Sequence, residues 1–276
     1  MNRIKNKFSQ LNKEKRKALV TFISSCDPNL ECSQEILNAL PSYGSDIIEI
    51  GLPFSDPMAD GPTIQKSSQR GIKSGFTVNK TFNMVNNFRV NDKTTPIIFM
   101  GYFNTLFQFG LKSFFSKSKE NGVDGVIIVD LPPEEEGLIN KFLKEYKISI
   151  IRLITPTTSE KRLKTILKSA SGFLYYVSIM GITGTKIPSL KKVRKAVSVI
   201  KKNTEIPVVV GFGINNSSQI LEISNFADGS VVGSSIVKII EDAYEKKKSN
   251  KFILKKLKNF LNCLKNVHHT NLELKH

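Results

Sequence analysis

Two carboxylates stand out by their surroundings: Glu49 and Asp60, eleven positions apart in the stretch DIIEIGLPFSDPMADGP from Asp46 to Pro62. Glu49 sits in the short apolar run Asp46 to Gly51, where the two-residue period of a strand turns it opposite to Ile48 and Ile50. An ionised carboxylate is costly to bury there, so it is paired, solvated in a cavity or protonated. Such a group either does acid–base work at a site or ends in a structural salt bridge on a solvated strand face. Asp60 lies where Gly51, Pro53, Pro57 and Ala59-Asp60-Gly61-Pro62 break regular structure and force a shaped loop. Asp-Gly alone is ordinary turn chemistry, but a strand-end acid and a loop acid can converge.

Three further stretches could hold an anion. Ser178 to Ser189, Gly211 to Gly213 and Gly233 to Ser235 each follow an apolar run and precede a helical one. Glycine lets backbone N–H groups approach phosphate oxygens, and a helix N-terminus adds partial positive charge worth roughly 0.3 to 1 kcal/mol per exposed contact. Each pair of glycines is also what an ordinary turn contains. Gly211-x-Gly213 has Asn216 where a dinucleotide fingerprint needs its third glycine, and Gly181-Ile-Thr-Gly184-Thr-Lys186 lacks P-loop spacing, so both of those readings fail.

The elements that must position these residues alternate along the chain. Short Val- and Ile-rich runs at Ala18 to Ile23, Asp46 to Gly51, Pro96 to Met100, Gly125 to Val129, Ile148 to Ile154, Phe173 to Val177, Pro207 to Val210 and Gly229 to Val232 read as strands. Helical patterns separate them, among them Leu106 to Ser118 and Glu134 to Tyr146, with Thr158 or Ser159 as one cap and Asn216 as another. An amphipathic helix, Ile4 to Asn12, precedes the first strand, a short helix follows the eighth, and Lys251 to Leu264 closes the chain. Eight strand–helix repeats of about 30 residues leave an open doubly wound sheet or a closed barrel. The count and the length favour the barrel: an α/β, single-domain (β/α)8 TIM barrel over residues 1–264, with a polar tail at 265–276. In that fold every loop singled out above opens on one face.

Composition sets outer limits. The 276 residues are 40% hydrophobic and 24% charged, as in soluble globular proteins. No apolar stretch approaches the ~20 residues that span a bilayer, and the basic N-terminus lacks a secretory apolar segment. A net charge of +17 raises the question of nucleic acid. The lysines are spread over most of the helices without an RNA or DNA module, so attraction for anionic substrates is the safer consequence. Cys26, Cys32 and Cys263 lack metal spacing and an even count, which implies a reducing compartment. His268, His269 and His276 read as solvated tail residues, and no metal site is expected.

IEIGLPFSDPMADGPTIQ, VDLPPEE, SIMGITG, GFGI and VGSSIVKII fall in the order found in tryptophan synthase alpha chains, which this sequence resembles from about Val20 to Ile240. The resemblance implies a barrel lyase that cleaves indole-3-glycerol phosphate to indole and glyceraldehyde 3-phosphate. It implies Glu49 as the acid and base at indole C3 and the side-chain hydroxyl, and Asp60 as acceptor of the indole N–H. Phe22, Met100 and Ile127 match an apolar indole pocket, though simple barrel packing would use the same residues. Tyr175 matches a phenol near the substrate, Thr183 a loop residue that closes over Asp60, and Gly184, Gly213, Gly233 and Ser234 the phosphate positions. No cofactor belongs to this chain; pyridoxal phosphate is expected in a tryptophan synthase beta chain, met through Ser55 to Met58 and Asn104 to Phe107 in an alpha-beta-beta-alpha complex.

Neither nucleic acid nor membrane is an expected partner. A bacterial cytoplasm and a plastid stroma both fit, the latter for a protein made inside the organelle. Three features depart from the family pattern. Ile179 stands where many relatives have arginine, Cys26 replaces a glycine in the turn before Asp27-Pro28, and the positive charge is unusual. Cysteine is tolerable there unless the turn needs positive φ. Two other functions share parts of the pattern. A non-catalytic phospholigand-binding regulatory subunit would not need the two acids, and another phosphosugar lyase or isomerase would not need the Glu49 to Asp60 segment in this form.

Overall fold

The computed structural model describes residues 2–178, 189–211, 213–214 and 216–270, with side chains of the last helix as far as Leu264. Its strands are β1 (Ala18–Ser24), β2 (Ile47–Gly51), β3 (Ile97–Gly101), β4 (Gly125–Ile128), β5 (Ser149–Ile150), β6 (Arg152–Ile154), β7 (Leu174–Val177), β8 (Val208–Gly211) and β9 (Gly229–Val232). They pair in the order β5-β4-β3-β2-β1-β9-β8-β7-β6, all in parallel. β5 and β6 are two halves of the one strand expected at Ile148 to Ile154. The first half pairs with β4 and the second with β7. Between them Ile151 N–H donates to the Val126 carbonyl (2.9 Å) while Ile150 C=O accepts from Ser171 N–H (3.0 Å). One segment thus joins both ends of the sheet, and eight strands close into a barrel.

The period-2 pattern sorts residues into two separate cores. Val20, Ile47, Ile98, Ile127, Ile151, Phe173, Val209 and Val231 point into the barrel. Leu19, Ile23, Ile48, Ile50, Ile97 and Val126 point outward against the helices. The Arg3–Lys13 helix plugs one end of the barrel with Ile4, Phe8 and Leu11. It is held there by Arg3 on Asp124 at 2.9 Å, and Phe8 packs on Phe173 with centroids 6.0 Å apart.

Three expected elements differ. The helix expected over Leu106 to Ser118 is two, Phe103–Phe109 and Leu111–Asn121, because Gly110 adopts φ 89°. The bend lets Phe114 meet Phe82, Phe99, Phe109 and Phe115 at 5.5 to 6.3 Å, a cluster that a straight helix would not close. Glu134 to Tyr146 is a 3-10 turn, Pro133–Leu138, followed by a helix at Asn140–Tyr146. Buried Glu136 there turns to Arg152, which also donates to the Leu131 carbonyl at 3.0 Å. The last helix runs Asn250–Thr270, so positions 268 and 269 are helical rather than in a tail, and residues 271–276 lie outside the described part. Of the two candidates Thr158 and Ser159 it is Ser159 that caps, accepting from Arg162 N–H, and Asn216 caps as expected, accepting from Gln219 N–H. Cys26 does sit at positive φ, 61°, a conformation that costs a non-glycine residue about 1–2 kcal/mol.

Candidate active site

Glu49 is the middle residue of β2, in register with Phe22 on β1 and Ile98 on β3. The outward-facing neighbours Ile48 and Ile50 belong to the helix-side core, so the carboxylate points into the barrel. It is 1% exposed, and neither oxygen has a hydrogen-bond partner among the described residues. Burial alone pushes its pKa up to about 8. A carboxyl in this state holds its proton at neutral pH and can give it to a carbon or oxygen placed against it.

Asp60 approaches from the loop that follows β2. Its N–H donates to the Pro57 carbonyl (3.0 Å), and its own carbonyl accepts from Gln65 Nε2 (2.9 Å) at the start of the Pro62–Lys73 helix. The side chain accepts from the Tyr102 hydroxyl at 3.2 Å, and that hydroxyl accepts from Ala59 N–H at 2.9 Å. Burial raises the Asp60 pKa to about 6, with the Tyr102 bond working against the rise. Tyr102 stacks on Phe54 at 5.0 Å, which holds the phenol under the loop. Sequence reasoning missed Tyr102. Its signal was a lone phenol directly after β3, on the rim where Asp60 was expected, but the partner depends on how the loop folds back.

Tyr175 lies on β7, and the charges of Glu49 and Asp60 add to burial in pushing its hydroxyl well above the usual phenol range. Both acids therefore lie within electrostatic reach of this phenol. Phe22 lies beside Gly51 and Gly233: a Cβ on Gly51 would come within 2.6 Å of the Phe22 ring, and one on Gly233 within 3.2 Å of its Cβ. Met100, partly exposed, and buried Ile127 are register partners on β3 and β4. Ile127 belongs to the barrel-interior core and Met100 packs against that core.

On the same rim, after β9, Gly233 starts the Ser234–Glu245 helix without a side-chain cap, and Ser234 is exposed there. Ser235 Oγ donates to the Ile214 carbonyl at 2.6 Å, tying this helix start to the loop of Gly213, which adopts φ 64°. Ser178 at the end of β7 donates through N–H (3.0 Å) and Oγ (2.7 Å) to the Gly211 carbonyl. Thr183, Gly184 and Ile179 lie outside the described residues. No group of acids, histidines and cysteines able to hold a metal ion is present among the described residues.

Gly211 is the tightest point of this rim. A Cβ there would lie 2.7 Å from Tyr175 Cε1 and 2.8 Å from its hydroxyl. Gly211→Ala is expected to displace the phenol and lower kcat/KM on the order of 10- to 100-fold without unfolding the barrel. Steady-state kinetics with a thermal melt checks this.

A closed parallel barrel with one acid of raised pKa inside it, a second in the loop after the same strand and an uncapped helix start on the same rim has the architecture of a TIM-barrel enzyme. Residues 8–268 match the family model described as "Tryptophan synthase alpha chain". A tryptophan synthase alpha subunit from Legionella pneumophila str. Paris is 34% identical, with 98% of this chain and 99% of that one aligned at a TM-score of 0.90. A structure from Aquifex aeolicus VF5 is 36% identical over 97% and 99% at 0.86. An aminoacrylate-bound tryptophan synthase from M. tuberculosis is 26% identical over 98% and 100% at 0.85. The chain belongs to the tryptophan synthase alpha chain family. It is a lyase that cleaves indole-3-glycerol phosphate in tryptophan biosynthesis.

Proposed function

We propose that Glu49 and Asp60 carry this cleavage between them, a reading supported above all by the buried, unpaired Glu49 carboxyl. Protonated Glu49 gives its proton to indole C3, which makes the ring a cationic indolenine. Asp60, ionised, accepts the indole N–H and stabilises that positive charge. Glu49, now a carboxylate, takes the proton of the adjacent hydroxyl. The freed electron pair forms the carbonyl of glyceraldehyde 3-phosphate, the C–C bond breaks, and its electrons return the ring to neutral indole. Glu49 ends protonated, as it began. Phe22, Met100 and Ile127 receive the indole, and Tyr175 borders it. Gly184, Gly213, Gly233 and Ser234 bind the phosphate, and Thr183 helps close the loop over Asp60.

The exposed apolar side chains Met58 (72%) and Phe107 (59%) support a beta-chain docking face across Ser55 to Met58 and Asn104 to Phe107, in an alpha2beta2 complex. Pyridoxal phosphate would then serve the beta chain and not this one. No helix among the described residues is long and apolar enough to cross a membrane. We place the protein in a bacterial cytoplasm or a plastid stroma, and residues 1–264 as one domain. The testing experiment is indole release from indole-3-glycerol phosphate by wild type, Glu49→Gln and Asp60→Asn, with and without a beta chain. Release by wild type that either folded variant retains would refute this assignment.

The pKa values set a pH profile. Catalysis needs Asp60 ionised, which fails below about 6, and Glu49 protonated, which fails above about 8. A bell-shaped kcat/KM with limbs near those values is expected. Because the Tyr102 hydroxyl lowers the Asp60 pKa, Tyr102→Phe is expected to move the acid limb upward and leave the basic limb in place.

A further inference from the structure

The two ends of the site rest on two helices that meet away from it. Asp60 immediately precedes the Pro62–Lys73 helix, whose Gln65 holds its carbonyl. Ser234 opens the Ser234–Glu245 helix. Along the first helix, about 12 Å from Pro62 at 1.5 Å per residue, stands Arg70. Along the second, about 10 Å from Ser234, stands Glu241, buried at 2% exposure. Arg70 Nη1 lies 3.6 Å from Glu241 Oε1, and Lys66, one turn before Arg70, reaches the same oxygen at 3.1 Å. The rest of the Arg70 guanidinium is committed elsewhere: Nε and Nη2 donate to both oxygens of buried Asp27 at 2.6 and 2.9 Å, in the turn after β1. The Glu241 carboxylate is held most closely by Lys238 on its own helix, at 2.8 Å, and is tied to the first helix through Lys66 and the more distant Arg70.

We propose that Arg70 and Glu241 are positioning residues that set the span between the indole end and the phosphate end of the site. Each helix is a stiff rod with one ligand-facing end. A shift at the Arg70–Glu241 contact therefore changes the separation of Asp60 from Ser234 without altering either group's own surroundings. The inference rests on the assignment of those two residues made above. A ligand that touches both ends depends on that separation, because its second contact is intramolecular. A ligand that touches one end does not. This separates a positioning role from a plain contribution to stability, which would affect all ligands alike.

Glu241→Ala is the variant of choice, since it leaves the Arg70–Asp27 pair intact and releases Arg70 Nη1 together with Lys66 and Lys238, whose ammonium groups reach water. Arg70→Lys is the second, keeping charge beside Asp27 while losing the fork. Binding is measured by calorimetry for a non-cleavable indole-3-alkyl phosphate, for indole alone and for glyceraldehyde 3-phosphate alone, with a thermal melt on each protein. The expected result in Glu241→Ala is about a tenfold rise in Kd for the two-ended ligand and less than twofold for either one-ended ligand. Equal weakening of all three, or no change in any, while wild type binds the two-ended ligand tightly, would overturn the proposal and leave the site assignment standing. Failure of wild type to bind the two-ended ligand would overturn both.

Discussion

Glu49→Gln is expected to release indole about 10²- to 10⁴-fold more slowly than wild type, toward the upper end because one carboxyl handles both proton transfers. The amide is nearly isosteric, so KM should change little and the loss should fall on kcat. The same substitution is expected to stabilise the fold at alkaline pH. Between about pH 4.3, where an unfolded glutamate titrates, and about 8, the folded chain keeps a proton that the unfolded chain has released. Wild-type stability therefore falls as pH rises through that window and levels off above it. The cumulative cost is on the order of 4 to 5 kcal/mol, because the group is almost wholly shielded from water. Glutamine does not ionise. Urea unfolding at pH 5 and pH 9 should show the variant gaining on wild type at the higher pH; equal losses in both proteins would show that Glu49 is hydrated or paired.

Asp60→Asn should cost about 10²- to 10³-fold in kcat, again with KM nearly unchanged. Asparagine still offers a carbonyl to the indole N–H and to Tyr102, so ground-state binding persists. What it lacks is the charge that stabilises the indolenine cation, an interaction that develops only as C3 is protonated. Rapid-quench measurement of the chemical step isolates this effect, and a variant that loses only substrate affinity would show Asp60 to be a binding group.

The two acids were legible for different reasons. For Glu49 the strand period set it opposite to Ile48 and Ile50, and the structure, by placing those two against the helices, turned it to the barrel axis rather than to a solvated face. For Asp60 the proline and glycine punctuation required a loop, but nothing local said which phenol it would meet. Tyr102 escaped for that reason, being 42 positions away along the chain and adjacent only after the loop folds back. The errors in element bounds share a cause. Gly110 splits a helix whose composition reads as continuous, because Phe109 and Phe114 pack better across a bend. Glu136 tightens a turn because Arg152, on a later strand, needs an anion. Both effects depend on partners distant in sequence.

Alternation of apolar residues, strand count and the placement of glycines after late strands were properties of the sequence by itself, since each follows from periods of two or 3.6 residues and from local turn chemistry. They determined the barrel and the side on which its chemistry lies. Tertiary structure alone decided how strongly each group is perturbed. Desolvation depends on every atom within several ångströms, and those atoms come from all around a closed ring of strands. The pKa of Glu49, the Tyr102 bond to Asp60 and the Arg70–Glu241 contact exist only once Ile150 and Arg152 have joined the two ends of the sheet.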